Sequence, residues 1–376
     1  MHVRIYIYGL MFALGFCGSI AKAKELSFPE YEIETIATGL SFPWSLAFLP
    51  EGDLLVTERT GQIRIVSAGV VSAPLNGLPK NIFAKGQGGM LDVVLHPDYQ
   101  TNGWVYLSFA IGTDDKNTLQ VMRAKLVGEQ LTQQQMIFTV SPFKDTPVHF
   151  GGRMSFLPDN SLLITSGDGF DYREDAQRLN NQLGKVLRIN DDGSVPSNNP
   201  FLSEAADPLS NYVFSYGHRN SQAILYDPLR SVIFSNEHGP DGGDELNIIQ
   251  AGVNYGWPVI THGNDYIGGR ISPFTEYPNM QQPFLDWTPS IAPSGMAVHS
   301  GEMFKALNGD FLVSVLKFKE VRWVQMQDMK VVGQVSLFKE LGKRIRDVRV
   351  HPDGSIYILT DSENGSILRI TQSKNE

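Results

Sequence analysis

The feature that most constrains the fold of this chain is a short unit that recurs six times. Each copy has an apolar strand, a turn of the Pro-Asp/Glu-Gly type, and a second strand rich in β-branched and aromatic residues, a pattern typical of a β-hairpin. Such repeats bury their apolar faces only by stacking on neighbouring copies. The copies begin at Leu46, Val93, Met154, Ala223, Met296 and Val348.

The number and spacing of the copies predict the architecture. Six copies over the 353 residues that follow a predicted leader give one unit per roughly 59 residues, which fits a four-stranded propeller blade with its loops. Radial stacking of blades leaves short protected edges around a central channel. We therefore predict an all-β fold, a six-bladed β-propeller formed as one domain by residues 24–376, with a β-sandwich or a pair of them as the alternative. A turn or two of helix is expected within residues 176–187.

Residues 1–23 have the pattern of a signal peptide. A basic start at Arg4 is followed by an apolar run from Ile5 to Phe16, and Ala21-Lys22-Ala23 fits the small-x-small cleavage rule. The apolar run is too short to span a membrane comfortably. The sequence therefore predicts a periplasmic or secreted protein with no transmembrane segment in the mature chain.

The single cysteine, Cys17, lies in this leader and offers an alternative, a lipoprotein anchor. The bulky Phe16 directly before it disfavours that reading. Cleavage leaves no cysteine, so the mature fold cannot rely on disulfides although the compartment would permit them.

Loss of Arg4 and Lys22 with the leader changes the formal net charge from −9 to −11, which argues against nucleic acid as a partner.

The candidate functional residues lie at loops and strand ends, because a propeller presents its ligand site at one mouth of the channel. His149 precedes the third copy beside two glycines, and histidine is the natural general base near neutral pH. Asp168 ends the second strand of the same copy and is placed to accept a hydrogen bond from the imidazole. The alternative interpretation of His149 is a structural histidine in a turn. Gln87 lies in another glycine-rich turn.

Basic side chains stand at the ends of other copies. Arg219 and Asn220 together offer a fork of donors and an amide, which suits an anionic or carbonyl-rich ligand. Lys317 ends an apolar strand, and Arg344 and Arg346 alternate, so in a strand they share one face. This arrangement indicates a polyanionic ligand, with a solvated basic edge as the alternative.

The segment Glu237–Glu245 mixes carboxylates with glycines in a tight loop. Calcium takes six to eight oxygen ligands from carboxylates, backbone carbonyls and water, and such a loop can supply both kinds of protein oxygen. Its spacing differs from that of an EF-hand. Taken with the base and the cations, the loop predicts one site for an anionic cofactor bound through a metal ion and arginines; a solvated acidic turn is the alternative.

The sequence resembles the soluble PQQ-dependent aldose dehydrogenases, the group that includes soluble glucose dehydrogenase. The resemblance runs from Phe42 to Ile370, and HFGGR, GHRN and EHGPDGGDE are specific as a set. It is carried, in the family's order, by FPWSLAFLPEGDLLVTER, GQGGMLDVVLHPDY, HFGGRMSF, LLITSGDG, LGKVLRI, SYGHRNSQ, EHGPDGGDELN, NYGWP and RIRDV.

The resemblance implies a six-bladed propeller that oxidises aldose sugars at the anomeric carbon to lactones. His149 would take the proton from the anomeric hydroxyl, with Asp168 orienting it and Arg219 beside them at the catalytic centre, while hydride passes to pyrroloquinoline quinone (PQQ). The residues implied to hold PQQ are Gln87, His149, Arg219, Asn220, Tyr266, Lys317, Arg344 and Arg346.

The resemblance also implies calcium. The backbone carbonyls of Gly239 and Pro240 would bind the ion at the cofactor, and Glu245 and Tyr255 would contribute to a second, structural calcium. The glucose dehydrogenase branch has an acid directly before its histidine, where this chain has Val148, and that branch carries longer loops. Both differences favour the aldose dehydrogenase branch, with a broad sugar range.

Three functions follow for comparison. The first is sugar oxidation with an external electron acceptor, by a monomer or weak dimer. The second is a calcium-dependent hydrolase of the lactonase type, which generally centres its metal on side-chain carboxylates and would leave the arginines without a purpose. The third is a non-catalytic propeller that binds carbohydrate. We expect the first, because fold alone does not discriminate among them and the site residues do.

Overall fold

The computed structural model describes residues 27–202 and 207–373. The predicted leader, residues 1–23, lies outside the described residues. Nearly all regular structure is β, in six sheets of four antiparallel strands. This confirms the predicted all-β six-bladed propeller.

The blades follow one another along the chain. The first strand is β1 (Tyr31–Leu40). Blade 1 contains β2 (Pro43–Phe48), β3 (Leu54–Glu58), β4 (Gln62–Ser67) and β5 (Val70–Val71). Blade 2 contains β6 (Met90–Leu95), β7 (Trp104–Gly112), β8 (Asn117–Val127) and β9 (Gln130–Thr139). Blade 3 contains β10 (Met154–Phe156), β11 (Leu162–Ser166), β12 (Lys185–Ile189) and β13 (Val213–Tyr216).

The second half repeats this order. Blade 4 contains β14 (Ser221–Asp227), β15 (Val232–Glu237), β16 (Asp244–Ile249) and β17 (Leu285–Trp287). Blade 5 contains β18 (Pro293–Val298), β19 (Phe311–Val315), β20 (Glu320–Gln327) and β21 (Lys330–Leu337). Blade 6 contains β22 (Ile345–Val350), β23 (Ile356–Thr360) and β24 (Gly365–Gln372), with β1 as its outermost strand. The six repeats of the sequence supply the two inner strands of each blade, one repeat per blade.

Helical structure is confined to short turns. The expected helix within residues 176–187 is wrong in its bounds, because the helical turn is a 3₁₀ segment that begins three residues earlier and β12 occupies the end of that range. No helix among the described residues is long and apolar enough to cross a membrane. The helical segments are α1 (Tyr99–Asn102) and the 3₁₀ turns Arg173–Gln177, Pro208–Tyr212, Lys305–Leu307 and Lys339–Leu341.

The hairpin turns of the repeats follow from their residues. The reversal after the first inner strand needs a residue with positive φ, and Gly52, Asn160 and Gly354 occupy that position at φ 94°, 62° and 87°. Glycine and asparagine adopt this conformation at little cost. In the third blade Ser161 also donates its hydroxyl to Asp159 at 2.6 Å, a local contact that favours the turn.

The ring closes through pairing of the first and last strands. β1 pairs antiparallel with β24, with Tyr31 opposite Gln372 and Leu40 opposite Gly365. The innermost strands of successive blades contact each other all the way round, including β22 with β2. Apolar residues accordingly form six buried clusters among the described residues, one between each pair of neighbouring blades. The stability of each blade therefore depends on its neighbours.

Candidate functional site

All the sequence-predicted site residues except Tyr266 and Tyr255 lie near strand ends at one mouth of the ring. In an antiparallel hairpin the first strand begins where the second ends, as shown by Ser221 opposite Glu237 and Ile345 opposite Thr360. Gln87, His149, Arg219, Asn220 and Arg344 come just before first strands, and Asp168, Gly239, Pro240 and Lys317 come just after second strands.

A cavity of about 290 Å³ opens at this mouth. Four predicted residues line it, and the remaining predicted residues lie outside its lining. Among the other lining residues, Arg59, Asp361 and Gln222 carry polar side chains that the sequence argument missed. The four predicted lining residues are Gln87, Asn220, Arg344 and Arg346.

His149 and Asp168 form a buried pair beside this cavity. His149 Nδ1 lies 2.7 Å from Asp168 Oδ1, and both side chains are almost completely buried. The His149 amide donates to Gln87 Oε1 at 2.9 Å, so the predicted glutamine positions the histidine backbone. His149 has φ 52°, an uncommon conformation for a non-glycine residue that recurs at functional sites. A Cβ at Gly167 would lie 2.2 Å from the His149 carbonyl oxygen, so this close approach requires glycine.

Three donors converge on the Asp168 carboxylate. Besides the imidazole, the Phe170 amide donates to Oδ1 at 2.8 Å and Trp257 Nε1 donates to Oδ2 at 2.7 Å. Burial alone would raise the pKa of Asp168, but the hydrogen bond and charge of His149 and the charge of Arg219 outweigh it, so its pKa lies below the ordinary value. An ionised carboxylate only accepts. Nδ1 of His149 therefore carries the proton, which leaves Nε2 with a free lone pair.

The imidazole itself favours the neutral form. Burial lowers the pKa of His149, and the charges of Arg219 and Lys144 lower it further, against an opposing contribution from Asp168. A histidine that stays neutral with its tautomer fixed is suited to accept a proton near neutral pH.

Arg219 is buried, with 4% of its surface exposed. Its guanidinium nevertheless has no carboxylate within ion-pair distance among the described residues. It donates to the carbonyl oxygens of Gly239 at 2.6 Å and His238 at 3.2 Å, and to the Tyr266 hydroxyl at 3.2 Å. Its Nε is buried without a partner. A buried cation with a spare donor and no counter-ion indicates an anionic ligand.

The opposite side of the cavity carries more cations than anions. Arg344 Nε and an Arg346 terminal nitrogen each lie 3.1 Å from the same Asp361 oxygen. Arg59 also lines the cavity and has no ion-pair partner among the described residues. Burial and the charges of Arg344 and Arg59 lower the pKa of Arg346, although Asp361 opposes them. Arg346 Nε has no hydrogen-bond partner in the described part of the chain. The lining thus carries three guanidinium groups against one carboxylate, which favours an anion in the cavity.

A buried ion network lies among the innermost strands, outside the cavity lining. Arg153 lies 3.5 Å from Asp92 and 3.2 Å from Asp347, and Arg349 lies 3.1 Å and 2.8 Å from the same two carboxylates. These residues come from blades 2, 3 and 6. Beyond them a second, more apolar cavity of about 460 Å³ opens at the other mouth. The network therefore separates the two cavities.

The acidic loop of blade 4 is organised by a residue that the sequence argument did not single out. Asp244 accepts from the Gly239 amide at 2.9 Å on one oxygen, and its other oxygen accepts from Ser290, Ile291 and Ala292 at 2.5–2.7 Å. These bonds hold Gly239 in place, and its carbonyl oxygen faces Arg219. A carbonyl has two lone pairs, so Gly239 can accept from Arg219 and also bind a cation.

Glu245 lies in a row of acids across the same blade. It stands opposite Glu237 on one side and Asp286 on the other. Burial raises the pKa of Glu245 well above the ordinary value, and the charge of Glu237 adds to the effect. Asn247 donates to both Glu237 and Glu245, at 3.1 and 3.0 Å. Excess negative charge in a small space is the electrostatic condition for a cation.

The other predicted calcium contact, Tyr255, lines the same small cavity of about 10 Å³ as Glu237 and Glu245. Its hydroxyl donates to the Ile248 carbonyl at 2.5 Å and accepts from the Gln250 amide at 2.9 Å. The hydroxyl is thus engaged, and only the Tyr255 carbonyl is free to contribute. Within the described ranges, no group of three or more His, Cys, Asp or Glu side chains is arranged to hold a metal, so any ion here would depend on carbonyl oxygens.

Two predicted cofactor residues lie at the rim. Tyr266 is 61% exposed and touches the site through its hydroxyl, which accepts from Arg219. Lys317 is exposed and lies outside the cavity lining, and its ammonium group lies 5.8 Å from the centre of the Phe318 ring. Lys317 follows the end of β19 by two residues, and the intervening Leu316 is the residue that reaches the cavity.

Known proteins share this architecture. The aldose sugar dehydrogenase YliI of Escherichia coli is 38% identical over 346 residues, covering 90% of this chain and 92% of that protein. The solved apo structure of the soluble aldose sugar dehydrogenase from Escherichia coli has a TM-score of 0.87 at 37% identity, covering 91% of this chain and 100% of that one. The PQQ-bound aldose sugar dehydrogenase of Streptomyces coelicolor has a TM-score of 0.72 at 28% identity, covering 91% and 99%.

A family model agrees with these neighbours. The model described as Glucose / Sorbosone dehydrogenase matches residues 40–369, which span all six blades. This agrees with the resemblance drawn from the motifs of the sequence. The chain belongs to the glucose/sorbosone dehydrogenase family of oxidoreductases.

Proposed function

We propose that this protein oxidises aldose sugars at the anomeric carbon to lactones, using PQQ and calcium and passing the electrons to an external acceptor. The observation that carries the proposal is the buried His149–Asp168 pair beside a cavity lined by three arginines and a single carboxylate. The predicted leader supports a periplasmic or secreted location, and we propose a monomer or weak dimer.

The residues present fit the cofactor. PQQ is a flat tricarboxylate, and the cavity has Arg59, Arg344 and Arg346 on one side against Asp361 alone. The buried Nε atoms of Arg219 and Arg346 have no hydrogen-bond partner among the residues that the structure describes. An anionic ligand with several oxygens would satisfy such donors. Gln87 and Asn220 add amide groups to the lining.

The same residues fit a calcium ion at the cofactor. Gly239 and Pro240 would offer carbonyl oxygens to the ion, and Asp244 holds the Gly239 backbone in position. PQQ bound there would supply a quinone able to take up hydride, and calcium would supply Lewis-acid polarisation of that quinone. We propose that a second ion is held near Glu245 and the Tyr255 carbonyl.

The protein's part in the reaction is proton transfer and orientation. His149 Nε2 takes the proton of the anomeric hydroxyl, so that the oxygen's electrons can form the carbonyl as hydride leaves the carbon. Asp168 holds the ring in the required tautomer and stabilises the positive charge that the imidazole acquires. Arg219 supplies a fixed positive charge beside this pair, positioned by carbonyl contacts on the acidic loop.

The proposed function is tested by reconstitution. Purified protein stripped with a chelator should show dye-linked oxidation of aldoses only after both PQQ and calcium are added. Omission of either component is the control. If a broad panel of aldoses gives no oxidation with both present, the proposal is wrong, and lactone hydrolysis without PQQ would favour a hydrolase instead.

The lowered pKa of His149 predicts the pH dependence. The base works only when neutral, so kcat/KM should fall as pH drops through a pKa below the ordinary value of 6.5 and should be level above it. A pH–rate profile of the reconstituted enzyme measures this limb. An acid limb with its midpoint above 6.5 would contradict the assignment.

Arg59 provides a test of cofactor binding that does not depend on turnover. Replacing Arg59 with Gln should weaken PQQ binding by roughly ten- to a hundredfold, because a charge-assisted hydrogen bond contributes about 1.5–3 kcal/mol. Equilibrium dialysis measures the dissociation constant directly. The matched control is Arg178→Gln, which alters an exposed arginine outside the cavity lining. Unchanged PQQ affinity in Arg59→Gln would remove Arg59 from the cofactor site.

A further inference from the structure

Phe170 is a large apolar side chain displayed beside the catalytic pair. It is 44% exposed and has φ 71°, the left-handed region that bulky residues rarely occupy. Such a conformation is strained and persists where the surroundings enforce it. Neither the acid–base chemistry nor the cofactor cavity uses this side chain, since Phe170 is absent from the cavity lining.

Three contacts hold Phe170 in place, one through its backbone amide and two through its ring. Its amide donates to Asp168 Oδ1, the oxygen that also accepts from His149. Its ring meets the His149 imidazole edge to face, with centroids 5.2 Å apart and planes at 79°. It also lies nearly parallel to the Tyr266 ring, with centroids 6.2 Å apart and planes at 19°. The turn that exposes Phe170 is therefore tied to the catalytic pair itself.

We propose that Phe170, supported by Tyr266, is the platform on which the sugar substrate lies. A pyranose presents C–H groups on its faces, and aromatic rings take such faces by stacking, as they take other apolar surfaces. A sugar resting on Phe170 would be held beside His149, which needs the anomeric hydroxyl within reach. This inference rests on the proposed function and names the residue that binds its substrate.

The spacing of the two rings decides how the sugar lies. A sugar sandwiched between them would need two contacts of about 4 Å, or roughly 8 Å between the ring centres. The observed 6.2 Å is too short for that. The sugar therefore lies on the exposed side of Phe170, and Tyr266 stiffens the platform from behind while its hydroxyl stays with Arg219.

A platform of this kind is selective for the shape of the sugar ring more than for the orientation of its hydroxyl groups. Hydrogen-bonding groups reject a substrate that lacks the matching hydroxyl, whereas apolar contacts discriminate weakly. Stacking on Phe170 thus accounts for a broad range of aldopyranoses. It predicts that loss of the ring weakens the binding of glucose and of galactose by the same factor, because the two sugars differ only in the orientation of one hydroxyl.

The test compares Phe170→Ala with Phe170→Trp in the PQQ- and calcium-reconstituted enzyme. We expect Phe170→Ala to raise KM for both sugars about three- to tenfold with kcat within twofold of the parent, in line with the strength of aromatic stacking. Phe170→Trp should restore KM. The inhibition constant of 1-deoxyglucose, which keeps the pyranose face but cannot be oxidised at C1, should rise in Phe170→Ala by the same factor.

Leu229→Ala is the control, since Leu229 is a large exposed apolar residue at the other mouth. Unchanged KM and inhibition constant in Phe170→Ala would overturn the platform, and so would a fall in kcat alone, which would make Phe170 a positioning residue for His149. If the parent protein oxidises no aldose, the proposed function fails, and the platform is then judged by NMR titration of 1-deoxyglucose into parent and Phe170→Ala. Equal affinity there would overturn it, and weaker binding by the variant would support it.

Discussion

Replacing His149 with alanine is expected to lower kcat by about a hundred- to ten-thousandfold, the range typical of a lost general base. Nε2 of His149 is the unprotonated nitrogen of a ring held between Asp168 and Phe170, and no other group at the site is so placed. Steady-state oxidation of glucose by the reconstituted variant measures the loss.

The binding of PQQ to the same variant provides the control. His149 lies outside the lining of the arginine-rich cavity, so PQQ affinity measured by dialysis should change by less than threefold. Near-normal turnover by His149→Ala would remove the residue from the mechanism. A loss of both PQQ binding and turnover would assign it to the cofactor site instead.

Asp168→Asn is expected to cost about a thousand- to ten-thousandfold in kcat, although the side chain keeps its shape. The carboxylate accepts from three donors, His149, the Phe170 amide and Trp257, and an amide of the same shape has only one accepting oxygen. Either the indole loses its acceptor or the imidazole is driven to the other tautomer, with its proton on Nε2. In the second case the base cannot act, as in the Asp-to-Asn change of a serine protease triad.

Asp171→Asn is the matched control for this change. Asp171 is exposed, three residues along the same loop, and has no contact with the imidazole. Its turnover should equal that of the parent protein. If Asp168→Asn retains more than a tenth of the parent kcat, Asp168 does not set the tautomer of His149.

The fold could be predicted because its repeats are local. Each inner hairpin carries its own turn residues, such as Gly52 or Asn160. Alternating strands and turn residues therefore allowed each of the six hairpins to be predicted separately. The outer strands have no comparable regularity. The segment 176–187 was wrongly interpreted for this reason: a 3₁₀ turn, a loop and the start of β12 follow one another within a few residues.

Part of the site could be predicted from the sequence for the same reason. His149, Asp168 and Arg219 stand at strand ends with glycines nearby, and the ring brings them together. Their contacts agree with the expected pairing of His149 and Asp168, while their roles in catalysis stay predictions. Lys317 was placed by analogy, and the structure leaves its side chain exposed at the rim, because the residue that reaches the cavity at this blade is Leu316.

Other site residues could not be found from one sequence because their partners are remote. Trp257 donates to a carboxylate 89 positions away, and Asp361 pairs with two arginines 15 and 17 positions away. One signal was available: Arg59 and Asp361 directly follow the second inner strand of a repeat, and Asp168 follows its strand by two residues. Aligning the repeats at that position would have identified Arg59 and Asp361. No alignment of strands would have identified Phe170, whose exposure depends on its φ.

The pairing of β1 with β24 also decides how the molecule can be tethered. Tyr31 stands opposite Gln372 at one end of blade 6, whereas Leu40, Gly365 and Thr360 lie at the other, beside the cavity. The start of β1 and the end of β24 therefore lie on the face away from the catalytic pair. A molecule fixed to a lipid surface or an electrode at this edge of blade 6 would turn its open mouth outward, toward the solution that carries sugar and electron acceptor.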